Sequence, residues 1–236
     1  MSKQLLLPVN LHEHVSFDNF LVGDNAQVVR HLKSLLLPNL EQRGSHWLNV
    51  ISAPSGHGKS HLLFALVNLA HENQLNAAYL SFNDKHTLMP SMLEGLESFD
   101  LICLDDIEQL TDDLAWQIAL FDLINRVKEV KTSKLVLCSG VPLPSLNIQL
   151  PDLSSRLNWG LSFRLKTLNE VQRLRALQMR AEQRGLHLPT EVAKFLMNRH
   201  QRDLSALIAS LDTLDEVSLS QQRKLTIPFV KSVFDV

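Results

Sequence analysis

Residues 47–74, WLNVISAPSGHGKSHLLFALVNLAHENQ, read as strand, loop and helix in immediate succession. WLNVISA (47–53) is an apolar run of strand length, and from His61 onward the apolar residues of HLLFALVNLAHENQ recur at helical spacing. Between them stands APSGHGKS (53–60), a phosphate-binding loop in all but its first position, where Ala53 takes the place of a glycine. Such a loop needs glycines because its backbone must curl tightly and aim N–H groups at oxygen atoms, with the helix start adding positive partial charge. Gly56 and Gly58 meet this need. Lys59 is spaced to reach the β- and γ-phosphates of a nucleotide, and Ser60 to offer its hydroxyl to Mg2+. Ala53 lies at the entry turn, where alanine fits if φ is negative, so it weakens the motif without cancelling it.

Outward from the loop, short apolar runs continue at AAYLSF (77–82), LICLDD (101–106) and KLVLCS (134–139), with helical patterns such as WQIALFDLINRVKE (116–129) between them. This alternation predicts an α/β domain with a central parallel sheet covered on both faces. LICLDD ends an apolar strand with two carboxylates. A strand that brings an aspartate to the sheet edge beside a phosphate loop supplies a Mg2+ contact, here Asp105, and its neighbour Asp106 is a candidate to orient an attacking water. The plainer use of the pair is a turn or helix cap. PDLSSRLNWGLSF (151–163) places Arg156 in a short polar segment predicted to be exposed, where a solvated charge is the local reading. After about residue 164 the strands stop and amphipathic helices follow. Asn169 caps one that ends near Gly185, Thr190 after Pro189 starts the next, Asp203 begins a third, and Thr226 with Pro228 in the first turn begins the last. The tail is therefore a small all-α domain.

Composition narrows the function classes. With 23 Lys plus Arg against 25 Asp plus Glu the formal net charge is -2, so any DNA contact is local or delegated to a partner. Apolar residues at 45% suffice for a packed core. Cys103 and Cys138 sit in apolar runs, as buried reduced thiols of a cytosolic protein do. The ten histidines show no metal-binding spacing, and no run reaches the roughly 20 apolar residues of a membrane span, so a cytoplasmic protein without membrane contact is expected.

Several segments together resemble a known family. FDNFLVGDN (17–25), the phosphate loop, LICLDDIEQL (101–110), the Arg156 segment and RDLSALIASLD (202–212) are similar, in that order, to the nucleotide-binding AAA+ domain of the bacterial replication initiator DnaA. The resemblance implies a P-loop domain followed by a helical lid, with divisions at 1–14, 15–164 and 165–236. It implies that Val22 and Gly23 lie near the adenine, and that Ser55, Gly56, His57, Gly58, Lys59, Ser60 and His61 hold the nucleotide with Arg202 of the lid. Ser60 and Asp105 would contact Mg2+, and Arg156 would be an arginine finger acting in trans. KLVLCSGVPLP (134–144) matches the family's sensor strand, yet Gly140 stands where the family carries a polar side chain. Together with Ala53, this implies weak hydrolysis or none by the chain itself.

The chain ends at Val236, and the expectation is that no helix-turn-helix DNA reader follows the lid. Near the other end, QLLLPV (4–9) resembles the short Q-L-x-L peptides that dock on the DNA polymerase sliding clamp, with Gln4 at a groove rim, Leu5 and Leu7 in apolar pockets and Pro8 limiting flexibility. A first strand or an ordered arm would use the same residues. This architecture resembles the small Hda family, regulatory inactivators of DnaA. The resemblance implies an adapter bound to ADP (or another nucleotide) with Mg2+, docked on the β subunit clamp of DNA polymerase III and so on DNA indirectly, that promotes ATP hydrolysis on DnaA. A homodimer fits the way AAA+ domains associate. Two other classes stay open: an autonomous AAA+ ATPase that loads or remodels a replication protein, and a passive binding module in which Arg156 is surface charge.

Overall fold

A computed structural model describes residues 15–36, 46–199, 204–221 and 223–234. The stretch 48–52 that decides the fold is strand β1 (Leu48–Ser52), and every residue of it is buried. It pairs in parallel with β4 (Lys134–Ser139) on one side and β5 (Leu161–Arg164) on the other. β3 (Leu101–Asp105) runs parallel between β2 (Ala77–Ser81) and β4, completing the order β2-β3-β4-β1-β5. The apolar runs of β1, β3 and β4 are unbroken because both faces of a parallel sheet are covered. Edge strands have only one neighbour, so β2 and β5 alternate buried or half-buried with more exposed residues. The four-residue β5 falls inside a segment read from sequence as polar. Its alternating, half-exposed side chains carry too little apolar signal to mark a strand.

Helices cover the sheet between its strands. α1 (Ala26–Ser34) precedes β1, α2 (Lys59–Glu72) follows it, α3 (Leu114–Val130) leads into β4, and α4 (Pro151–Leu157) leads into β5. Asp113 caps α3 by accepting from the Ala115 and Trp116 amides, at 3.1 and 3.3 Å. Leu93, Leu104, Leu123, Val127 and Leu137 are fully buried between α3 and the sheet, and Phe82 meets Trp116 edge to face at 5.3 Å. Gln117 is a buried polar residue beside them. Its amide donates to the Leu110 and Thr111 carbonyls and accepts from the Gln149 and Leu150 amides, at 2.7–3.0 Å, tying two connecting segments together.

The chain divides into two units. One gathers the sheet with these helices; the other comprises Asp18–Asp24, Ser55–Gly58 and Lys166–Val236. In the second, α5 (Glu170–Gln183) opens with a full capping box, Asn169 and Gln172 exchanging side chain to backbone bonds of 2.9 Å. Gly185, at φ 73°, ends it in the left-handed conformation that suits glycine. α6 (Thr190–Arg199), α7 (Leu204–Gln221) and α8 (Ile227–Val233) follow, the last capped by Thr226. Leu177, Ala181, Leu196, Leu211, Leu214 and Phe229 form their shared core. Among the described residues no helix is long and apolar enough to cross a membrane. Asp203, expected to open the third of these helices, lies outside the described residues.

Candidate functional site

The phosphate loop leaves the sheet where β1 ends. The Ala53 amide donates to the Ser139 carbonyl at 3.0 Å, extending the pairing with β4 by one residue. Ala53 is buried and is not among the described non-glycine residues with positive φ, which explains why alanine is accepted there. The demanding torsions fall on Gly56 (φ 76°) and Gly58 (φ 85°), and a Cβ on Gly58 would lie 2.8 Å from the Phe20 ring. α2 then starts at Lys59, which is itself buried. Its ammonium donates to the Ala53 carbonyl at 2.9 Å and to that of Pro54 at 3.4 Å, so the lysine is folded back across the loop it belongs to.

Asp105 is fully buried at the end of β3. Burial pushes its carboxyl up, while the Ser60 hydroxyl and the charge of Lys59 pull it back. The Tyr79 hydroxyl donates to Oδ2 at 3.2 Å and the Asp106 amide to Oδ1 at 3.0 Å. Burial, and then the Asp105 charge, raise the Tyr79 phenol, so it stays a donor. Asp106 has φ 58°, a left-handed conformation that aspartate tolerates better than most residues. Its Oδ2 accepts from Ser81 Oγ at 3.1 Å and from Asn83 Nδ2 at 2.7 Å. Burial, and then the charge of Asp105, push this carboxyl up to about 6. Tyr79, Ser81 and Asn83 escaped the sequence reading. The signal was present in AAYLSF, whose Tyr79 and Ser81 share one strand face, but only the pairing of β2 with β3, Ser81 opposite Asp105, gives it meaning.

Lys59, Ser60, Asp105 and Asp106 therefore form one group at the end of the sheet. Arg156 belongs to a different one. The expected exposed polar segment is instead a helix, α4, and Arg156 in its last turn is half-buried. Its guanidinium lies over the Trp159 ring at 4.0 Å and the Phe121 ring at 5.5 Å, and its Nε is buried without a hydrogen-bond partner. Aromatic faces can shelter a guanidinium because it is planar and weakly hydrated. Gly160 lets this turn approach the sheet, since a Cβ there would lie 3.1 Å from the Leu48 carbonyl oxygen.

Val22, Gly23, Ser55 and His57 fall in the second unit. Gly23 has φ 49°, and a Cβ on it would meet Leu168 at 2.9 Å and Gln172 at 3.4 Å. His57 bonds to the Ser55 carbonyl at 3.0 Å and to Thr167 Oγ1 at 3.1 Å, while His61 bonds to the Ser16 carbonyl at 2.9 Å. Both imidazoles thus have protein partners. Gln4, Leu5, Leu7, Pro8 and Arg202 lie outside the described residues.

A parallel five-stranded sheet with a phosphate loop after β1, paired carboxylates after β3 and a following helical unit defines a P-loop protein of the AAA+ type. Residues 11–164 match the bacterial DnaA ATPase domain, so the chain belongs to that family, and residues 170–234 match the lid domain of Hda. It is an Hda-like, DnaA-related AAA+ protein of the replication regulators. Solved structures agree at the level of fold. Domain III of the Thermotoga maritima replication initiation protein DnaA superposes with TM-score 0.79 at 22% identity, covering 94% of this chain and 95% of that one. AMPPCP-bound DnaA from Aquifex aeolicus gives TM-score 0.69 at 22% identity, over 89% of this chain and 67% of that one. The Thermotoga maritima RuvB Holliday junction branch migration motor gives 0.67 at 18%, over 95% and 72%.

Proposed function

We propose that the protein is a cytoplasmic negative regulator of replication initiation: an ADP-bound adapter, held on the sliding clamp, that stimulates ATP hydrolysis on DnaA through Arg156. The observation that carries this reading is the union of a DnaA-type ATPase domain with an Hda lid in one chain. Residues 1–14 serve as the clamp-docking arm, with Gln4, Leu5, Leu7 and Pro8 as contacts; 15–164 form the nucleotide-binding domain and 165–236 the lid.

The residues present suit a nucleotide with Mg2+. The glycine torsions at 56 and 58 leave the backbone amides free of Cβ obstruction, and Ser60 beside buried Asp105 offers the hard oxygen donors that Mg2+ takes. Held by Ser60 and Asp105, Mg2+ would supply positive charge to offset that of the phosphates. Lys59 would serve the phosphates, and Ser55, His57, His61, Val22, Gly23 and Arg202 are the further residues proposed to contact the nucleotide. In trans, Arg156 meets the ATP of a DnaA molecule, where a guanidinium stabilises charge on the transferred phosphoryl group. Such fingers are worth on the order of 10³ to 10⁵ in rate. A position held by two rings favours this role, because a preorganised cation loses little freedom when it acts. Tethering through the clamp concentrates the protein near DNA without base contacts, in keeping with its net charge of -2. A resting homodimer is a way to cover Arg156.

The adjacent carboxylates favour a second reading, an ATPase that turns over by itself with Asp106 aligning water. Hydrolysis of ATP prebound to DnaA, with clamp loaded on DNA, separates the two. Stimulation that disappears with Arg156→Ala and with removal of residues 1–9 supports the adapter. Turnover by this chain alone, indifferent to DnaA and clamp, supports the ATPase.

A further inference from the structure

The sheet order sets the end of β4 between two functional ends: that of β1, which opens into the phosphate loop, and that of β3, which carries Asp105. All three strands are parallel, so these ends share one edge. Gly140 is the first residue past β4. The space beside it is filled. A Cβ on Gly140 would fall inside contact distance of Glu108 Oε1 and 3.2 Å from its Cδ. Glu108 comes from the short 3-10 helix Ile107–Leu110 that follows Asp106. Its Oε2 is buried and has no hydrogen-bond partner, whereas the oxygens of Asp105 are bonded by Tyr79 and the Asp106 amide. The charge of Glu108 also reaches Asp106, whose carboxyl it helps to push up.

We infer that Glu108 is a specificity determinant of the nucleotide site, disfavouring a triphosphate relative to a diphosphate. Lys59 and Ser60 mark the β- and γ-phosphate end of the loop, and the edge between that end and Asp105 is where the Glu108 carboxylate stands. An ionised carboxylate only accepts, and like charges in a partly buried gap repel more strongly than in water. A diphosphate, lacking the γ-phosphate, would escape the repulsion. The inference rests on the reading that the loop holds a nucleotide, and it assigns the choice between nucleotides to one side chain.

The test is displacement of a fluorescent N-methylanthraniloyl ADP from the full chain by ADP and by ATP, each with Mg2+. Two variants attack the same interaction by opposite routes. Glu108→Gln keeps the shape and removes the charge; Gly140→Ala keeps the charge and expels the flexible carboxylate from the gap. The wild type should prefer ADP, and each variant should gain about tenfold in ATP affinity with ADP changed less than about twofold. Melting curves establish that the variants are folded, and either folded variant suffices to decide. An unchanged ratio of ADP to ATP affinity overturns the assignment, as does a wild type indifferent to the γ-phosphate. A wild type that takes up no labelled ADP at all overturns the nucleotide reading beneath it.

Discussion

Replacing Trp159 by alanine would remove the face on which the Arg156 guanidinium rests at 4.0 Å, leaving the Phe121 ring at 5.5 Å as its remaining aromatic contact. A cation over an aromatic face at a partly exposed site is worth about 0.5–1 kcal/mol. The Arg156 Nε is buried, so the upper part of that range applies, and Trp159, 43% exposed, gives up little core packing. If the ring acts by holding Arg156 ready, about 1 kcal/mol reappears as ordering cost when the arginine meets the partner's phosphates, and stimulation falls about fivefold. The melting temperature should drop by only about 2–4 °C. Stimulated hydrolysis of DnaA-bound ATP, measured beside Arg156→Ala, reads the effect. Trp159→Phe, which restores an aromatic face, should recover most of it. Full stimulation by Trp159→Ala, alongside its loss in Arg156→Ala, would refute the idea that the ring positions the cation.

Other expectations follow from the same geometry. The Asp106 carboxyl is pushed up to about 6, so between the ordinary value of about 4 and that value the native state binds more protons than the unfolded chain. This contribution is complete below the unfolded pKa and disappears as pH rises through the folded one. Without nucleotide, Asp106→Asn should therefore lose less stability than the wild type from pH 4.5 to 7 in denaturant titrations, and equal slopes would contradict the assignment. Gln117→Leu removes four bonds, to the Leu110 and Thr111 carbonyls and from the Gln149 and Leu150 amides, and of these groups the Leu110 carbonyl keeps the Asp113 amide. At about 1 kcal/mol each the loss is about 4 kcal/mol, or roughly 10 °C in calorimetry. Gln4→Ala with Leu5→Ala should abolish retention on clamp-loaded DNA while ADP affinity stays unchanged; loss of both would count against a separable docking peptide.

Much of both units was legible because the signals are local. The helix expected over 116–129 runs Leu114–Val130, and the caps at Asn169 and Thr226 form as their side chains require. The glycines at 56 and 58 were legible for the same reason: their torsions belong to single residues. β5 and the true setting of Arg156 were not. A short edge strand lacks an apolar period, and nothing in SSRLNWG reveals that Phe121, far upstream in α3, supplies one of the rings.

The sequence by itself determined the strand, loop and helix of residues 47–74, the acidic end of the third strand and the all-helical tail. These depend on torsions and periods that neighbouring residues impose on one another. Tertiary structure alone decided the order β2-β3-β4-β1-β5, and with it every relation across strands: Tyr79 on Asp105, Ser81 on Asp106, Glu108 in the space beside Gly140. Which strands become neighbours is settled by how the crossover helices pack, a sum over residues far apart in the chain, and no local pattern records it.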